Sequence, residues 1–336
     1  MKEAYLYKRL DSQDVQCYLC RHRCRINQEE RGICGVRINI EGTLYTLVYD
    51  KVASINVDAM EKKPLFHFLP GSQAFSFGTV GCNFRCSFCQ NHDISQMPRE
   101  VGQIMGETYS PAALVGLALN HQCSAMAYTY TEPTIFYELA RDTMVEAKRH
   151  GLYNVFVTNG YMTREMLGDA KGLIDAANVD LKAFNQAFYT NYVNGRLKGV
   201  MDSLIRMKQM GLWVEVTTLL IPGVNDDPEE IRAIARFIKS EMDPETPWHL
   251  SRFHPAYQER NLPPTELSVL EDAKRIGLEE GLHYVYLGNV PGEGENTNCP
   301  QCSHLLIDRV GYTIQHYSLD DGACPKCGYK MAGVGL

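Results

Sequence analysis

Nowhere in the 336 residues does an apolar run approach the ~18 residues that a membrane-spanning helix needs; the longest lies near Ala112–Leu119. An excess of positive charge is missing too. Against 33 Lys and Arg stand 40 Asp and Glu, a net charge of −7, so there is no global basic surface to hold a phosphate backbone. Glycine and proline stay at ordinary levels, and neither a low-complexity tract nor an internal repeat is present, which disfavours disorder. The opening MKEAYLYKRLDSQD carries charges where a secretory leader would be apolar. These features predict a cytoplasmic chain of about two domains. Cysteine, by contrast, is plentiful. There are twelve, and in a reducing cytoplasm closely spaced cysteines more often bind metal than form disulfides.

They fall into three groups and one leftover. Cys17, Cys20, Cys24 and Cys34 lie near the start, Cys82, Cys86 and Cys89 form a tight trio, and Cys299, Cys302, Cys324 and Cys327 lie near the end. Cys123 stands alone before an apolar run and reads as a small buried hydrophobe. Two groups of four can close a tetrahedral site; a group of three cannot.

Between the second and third groups, β-rich apolar runs alternate with helical stretches. The runs are Ala74–Val80, Ala125–Thr129, Asn154–Thr158, Asn178–Leu181, Trp213–Leu220, Trp248–Arg252 and Tyr284–Leu287. The helical stretches include Pro111–Asn120, Thr134–His150, Asp202–Met210, Pro228–Glu241 and Thr265–Glu280. This alternation predicts an α/β fold with a parallel sheet, a partial or complete TIM-like (β/α) barrel whose ligands bind at the C-terminal strand ends. LPGS at Leu69–Ser72 marks a boundary, dividing the chain into an N-terminal Cys-rich module (1–72), a core barrel (73–292) and a C-terminal four-cysteine module of zinc-ribbon or rubredoxin type (293–336). The last is too short to fold on packing alone and needs a metal staple.

The trio follows the first strand of that pattern, in TVGCNFRCSFCQN. Three thiolates on one loop can hold three corners of a 4Fe–4S cube and leave the fourth iron open, as a catalytic centre requires. The alternative is a zinc site that borrows His92 as a fourth ligand. Here the chain resembles the radical S-adenosylmethionine (SAM) superfamily, in its pyruvate formate-lyase activating-enzyme branch. Together, EKKPLFHFLPG, TVGCNFRCSFCQNHDISQ, TYTEPTIF, VTNGY, DLKAF, LLIPGVND and GNVPGEGENTNCPQC look like the radical SAM member of the AmmeMemoRadiSam system, over about Val15 to Cys302.

The resemblance implies roles residue by residue. Cys82, Cys86 and Cys89 would ligate a 4Fe–4S cluster that reductively cleaves SAM to a 5′-deoxyadenosyl radical, which abstracts hydrogen from a substrate. Phe88 would pack near the adenine, and Asn91 would orient the SAM-binding loop. Thr131 and Glu132 fall where the family has a Gly-Gly-Glu-Pro run facing the SAM amino group, although Tyr130 and Thr131 stand in place of the glycines. Asn159 matches a ribose contact, Asp180 and Lys182 lie on the SAM face, and His254 matches a site-facing catalytic histidine. The resemblance further implies an oxygen-sensitive oxidoreductase suited to anaerobic conditions. It would be served by a reductant such as ferredoxin or flavodoxin and would work beside Memo-like and AMMECR-type proteins, on a protein glycine, a peptide or a small molecule.

The flanking sets are read from spacing. Cys299-x2-Cys302 and Cys324-x2-Cys327 predict zinc, with iron as the alternative. Arg309, Lys326 and Lys330 are the only Lys and Arg residues in Cys299–Leu336, which is not a nucleic-acid footprint. Cys17-x2-Cys20-x3-Cys24-x9-Cys34 admits zinc or an auxiliary iron–sulfur cluster, with His22 able to replace a thiolate. Its arginines would form an anion site or a solvated face. Lys62, Lys63 and His67 in EKKPLFHFLPG either line the active-site mouth or belong to a packed connector. A non-catalytic metal scaffold and a tRNA-modifying radical enzyme are the competing functional classes.

Overall fold

Strands at Gln73–Gly78, Ala125–Tyr128, Tyr153–Thr158, Ala176–Asp180, Trp213–Leu220, Trp248–Arg252 and Val285–Gly288 form one parallel array in the computed structural model, which describes residues 1–290, 292 and 294–336. Pro291 and Glu293 of the GNVPGEGEN motif, at the boundary expected between 292 and 293, lie outside the described residues. An eighth strand, Ser54–Ala59, runs antiparallel along Gln73–Gly78. With Ser54–Ala59 as β1 and the parallel strands as β2 to β8, sheet order follows chain order and β1 and β8 are its two edges. The sheet is therefore an open, partial barrel. β1 falls within the stretch that the sequence division gives to the N-terminal module. Its SINVDA alternates too weakly to announce an edge strand.

Helices alternate with the strands at Pro111–Asn120, Tyr137–Arg149, Arg164–Asp169, Leu197–Gln209, Pro228–Phe237 and Leu267–Glu279, labelled α1 to α6. Ser110 and Asp227 cap α1 and α5 by accepting from backbone N–H groups of the first turn. α2 begins at Tyr137, later than its apolar pattern suggests, because Pro133–Phe136 forms a 3₁₀ turn capped by Glu132. α4 begins before Asp202 because Gly199 is helical. A Cβ there would meet the Tyr161 ring at 2.5 Å, so the glycine marks close packing and not a helix end.

The two faces of the sheet differ in side-chain size. Phe75, Phe77, Met126, Phe156 and Trp248 join the core shared with the helices. The opposite face carries Ala74, Ala125, Ala127, Val155 and Ala176, and these small residues pack on Met60, Leu65 and Phe68. A chain segment thus fills the interior. Asn178 of β5 donates to the Pro64 carbonyl (2.8 Å), and Glu215 of β6 accepts from the backbone N–H groups of Phe66 (3.0 Å) and His67 (2.8 Å). The Leu69 N–H donates to the Val334 carbonyl at 2.8 Å, so the chain's tail shares the plug.

The C-terminal module is a three-stranded antiparallel sheet of Thr297–Asn298, Leu305–Val310 and Thr313–Tyr317. Its Leu306, Ile307 and Met331 pack on Phe66, Tyr284 and Tyr286. Arg309, with no exposure, donates to the Phe66 carbonyl (2.9 Å) and faces the equally buried Glu61 (3.6 Å). At the other end, residues 1–46 form two small three-stranded sheets. Arg21–Asp202 (3.1 Å) and Arg23–Glu165 (2.6 Å) join that module to the barrel, and Arg25 pairs with Asp14 (2.7 Å). Much of the N-terminal arginine cluster is thus committed to ion pairs.

His67 is fully buried, with Nδ1 on the Ala332 carbonyl (2.8 Å) and Nε2 on the Tyr286 hydroxyl (2.6 Å). The carbonyl fixes the proton on Nδ1, so the neutral ring accepts from Tyr286. It is packed connector and not active-site mouth. Burial lowers its pKa to about 4 from an ordinary 6.5. The unfolded chain then binds one more proton between those values, and the stability this neutral ring contributes is lost as pH falls from about 6.5 to about 4. The linked loss is about 3 kcal/mol. Urea unfolding across that range should show the fall, and His67→Gln should flatten it.

Candidate active site

Gly78 closes β2 so near β3 that a Cβ would lie 2.3 Å from the Thr129 carbonyl oxygen. The loop that follows carries the trio, with Cys86 buried and Cys82 and Cys89 half-buried. The Phe84 N–H donates to Cys82 Sγ (3.4 Å), and Cys89 Sγ lies 3.3 Å from Ser95 Oγ. Burial pushes the Cys82 thiol well above its ordinary value and the Cys86 thiol up to about 12. Without a metal these thiols stay protonated at neutral pH; coordination would make them thiolates.

Among the described residues, the trio does not close to the 4.8 Å spacing that four other thiols of this chain reach, with or without His92. His92 instead stacks on Tyr257 at 4.7 Å. Three buried polar atoms of the loop region have no hydrogen-bond partner among the described residues: Asn83 Nδ2, Ser87 Oγ and His92 Nδ1. Three thiols on one loop beside orphaned polar atoms fit a bulky cluster held at three corners better than a bare ion.

The strand ends beside the loop are tied together by one carboxylate. Glu132, fully buried, accepts through Oε1 from the Thr134 backbone (3.0 Å) and the Thr158 hydroxyl (2.8 Å), and through Oε2 from the Asn159 backbone (2.8 Å). Asn159 in turn donates its side-chain amide to Asn83 Oδ1 (2.7 Å) and accepts from the Tyr161 N–H (3.0 Å). Both oxygens of Glu132 are thus engaged by the protein, and burial raises its pKa despite these donors.

Thr131 Oγ1 donates to the Thr79 carbonyl (2.9 Å) and Asn91 to the Tyr130 carbonyl (2.6 Å), bracing the loop against β3 from both ends. At β5, Lys182 Nζ sits 2.7 Å from Asp180 and 5.9 Å from the centre of the Phe88 ring. Burial alone would lower the pKa of Lys182, but the Asp180 carboxylate outweighs it and holds the ammonium form. Asn159, Asp180, Lys182 and Phe88 therefore gather near the trio. His254 is exposed, on the wall of a cavity of about 520 Å³ with Lys62, Phe66, His249, Tyr312 and Gln90, the neighbour of Cys89. Asn83 and Thr158 are parts of this network that motif reading missed. Asn83 lies inside the cysteine motif itself, which was its available signal.

The last four thiols do converge. All lie within 4.8 Å of one another, with Cys299–Cys327 at 3.5 Å and Cys302–Cys324 at 3.6 Å.

A family model for the radical SAM superfamily matches residues 77–238. An uncharacterized protein of Methanocaldococcus jannaschii is 44% identical over 335 residues, covering 98% of this chain and 99% of its own. The chain belongs to the radical SAM superfamily. The pyruvate formate-lyase-activating enzyme of Clostridium pasteurianum is 22% identical over 211 residues, 60% of this chain and 87% of that one. A radical SAM methyltransferase from Sphaerobacter thermophilus shares the fold at TM-score 0.52 and 16% identity, over 66% of this chain and 67% of that one. Radical SAM membership makes the chain an enzyme and implies a 4Fe–4S cluster, SAM and a reductant. No helix among the described residues is long and apolar enough to cross a membrane.

Glu132→Ala should strand the N–H groups of Thr134 and Asn159 and the hydroxyl of Thr158, at about 1–3 kcal/mol for each donor left unpaired. Urea unfolding should register that cost. Titration of the cluster-loaded protein should show weakened SAM binding, as Asn159 loses its anchor.

Proposed function

We propose that this radical SAM enzyme holds its 4Fe–4S cluster on Cys82, Cys86 and Cys89 and binds SAM between the open iron and the ends of β3, β4 and β5. Bound there, the cluster supplies the electron that cleaves SAM to methionine and a 5′-deoxyadenosyl radical, which abstracts hydrogen from the substrate. The observation that carries the reading is the trio's loop, with its three thiols and three orphaned polar atoms on the C-terminal end of the first parallel strand.

In this reading Phe88 lies along the adenine with Lys182 over its ring, and Asn159 meets the ribose. Asp180 fixes the Lys182 ammonium. Glu132 acts as a positioning residue for Asn159, and Thr131 and Asn91 hold the loop in register with β3. The cavity walled by Lys62, His249, His254 and Tyr312 receives the substrate. Its size suits a small molecule or one loop of a peptide. Kinship with an activating enzyme favours a peptide glycine. A role for His254 rests on its place at that wall. Work beside Memo-like and AMMECR-type proteins, and reduction by ferredoxin or flavodoxin, rest on the motif resemblance. In the tail, Cys299, Cys302, Cys324 and Cys327 would hold zinc. Their 3.5 and 3.6 Å separations approach the edge of about 3.8 Å that Zn–S bonds of 2.3 Å give a tetrahedron.

Anaerobically reconstituted protein given dithionite and SAM should release 5′-deoxyadenosine and methionine, and Cys86→Ser should abolish both. Cluster-loaded protein that leaves SAM intact under these conditions would refute the proposal.

A further inference from the structure

We propose that Cys17, Cys20, Cys24 and Cys34 hold a second iron–sulfur cluster of the 4Fe–4S class, lodged directly against the loop of the first. The chain supplies its own yardstick. Its C-terminal thiols draw together to the spacing of a single ion, all within 4.8 Å. The N-terminal four, like the central trio, do not close to that spacing among the described residues. Yet they share one neighbourhood. The Cys17 N–H donates to the Cys24 carbonyl (2.9 Å), and Cys24 Sγ lies 3.9 Å from where a Cβ on Gly32 would stand, in the Gly32–Gly35 turn that carries Cys34. Four thiols gathered in one module but spread wider than a zinc tetrahedron suit a cube, whose irons stand out from its centre and push their ligands apart.

Arg37 gives a second, independent sign. Its side chain is 2% exposed, Nη1 points at Cys17 Sγ from 3.1 Å, and Nε has no hydrogen-bond partner. Glu138 takes Nη2. Glu138 meets the guanidinium's charge and the Tyr5 carbonyl shares Nη1 (3.2 Å); Cys17 Sγ is the further acceptor, and a metal-bound thiolate takes that hydrogen bond better than a neutral thiol. His22 Nε2 lies 2.8 Å from the Asn83 carbonyl and is engaged there, which leaves the four cysteines as the proposed ligand set.

The two loops touch. Gly81, at φ +99°, precedes Cys82; a Cβ there would stand 2.6 Å from Val36 Cγ1 and 3.1 Å from the Cys34 carbonyl oxygen. Arg99 Nη1 donates to the carbonyls of both Ile33 (3.0 Å) and Cys82 (2.6 Å). A cluster here is an immediate neighbour of the catalytic one, a relationship that rests on the function proposed above; its presence does not.

The test compares full-length wild type with C82S/C86S/C89S and C17S/C20S, all reconstituted anaerobically. Iron, sulfide and zinc are measured per chain, and EPR spectra are taken after dithionite reduction. About eight irons should fall to about four in each variant, with zinc unchanged. The signal left in C82S/C86S/C89S should be indifferent to SAM. Zinc without iron in that variant, or no metal beyond the tail's, would overturn the inference. If C17S/C20S fails to fold, the trio variant decides alone, since its N-terminal cysteines are intact. A wild type whose EPR signal ignores SAM while the trio variant keeps four irons would count against the catalytic reading and not against this one.

Discussion

The carboxylate of Glu215, fully buried inside the sheet, takes hydrogen bonds from the backbones of Phe66 and His67 and from the Trp213 indole (3.0 Å), and His249 Nε2 lies 2.7 Å away. It pins the segment before β2 into the interior. A sheet with two unpaired edges cannot close around side chains as a full barrel does, so something else must cover its alanine-lined inner face. The Met60–Leu69 segment does so, with the tail beside it. With that floor in place, the cysteine loop and the cavity both stand over packed protein. Burying one charge among four partners is what makes the arrangement affordable in energy.

Above the floor, the candidate site is built from strand ends that are locked to one another before any ligand arrives. Glu132 joins the ends of β3 and β4, and Asn159 carries the tie to Asn83 in the cysteine loop. In the proposed reading, such a network would hold the donors and apolar surfaces offered to SAM with little freedom left to lose on binding.

Much of this was legible in the sequence, and for local reasons. Parallel strands buried on both faces make continuous apolar runs, so Trp213–Leu220 and Trp248–Arg252 match their observed bounds. The cysteine groups stand out by spacing alone, and the family motifs carry the superfamily. What escaped is long-range. EKKPLFHFLPG leaves an active-site mouth and a packed connector both open, and only the fold decides: Glu61, Lys63 and His67 are buried because Arg309, Asp58 and Tyr286 meet them. Nothing local to Gly81 announces that it faces Val36. The arginines around the first cysteines invite an anion, and their acids, Asp202 and Glu165, lie far along the chain.

The Glu61–Arg309 pair has a consequence for how the chain is made. Neither side chain has any exposure, and the two stand 248 positions apart in the chain. A nascent chain leaving the ribosome presents Glu61 long before Arg309 exists, and a lone carboxylate resists transfer into an apolar interior. The Gly71 N–H is at hand early (2.9 Å), but the interior plug gains the cation that meets Glu61 only when synthesis is almost complete. Until then the cysteine loop stands over an unfinished floor, and the last strands translated are the ones that complete it.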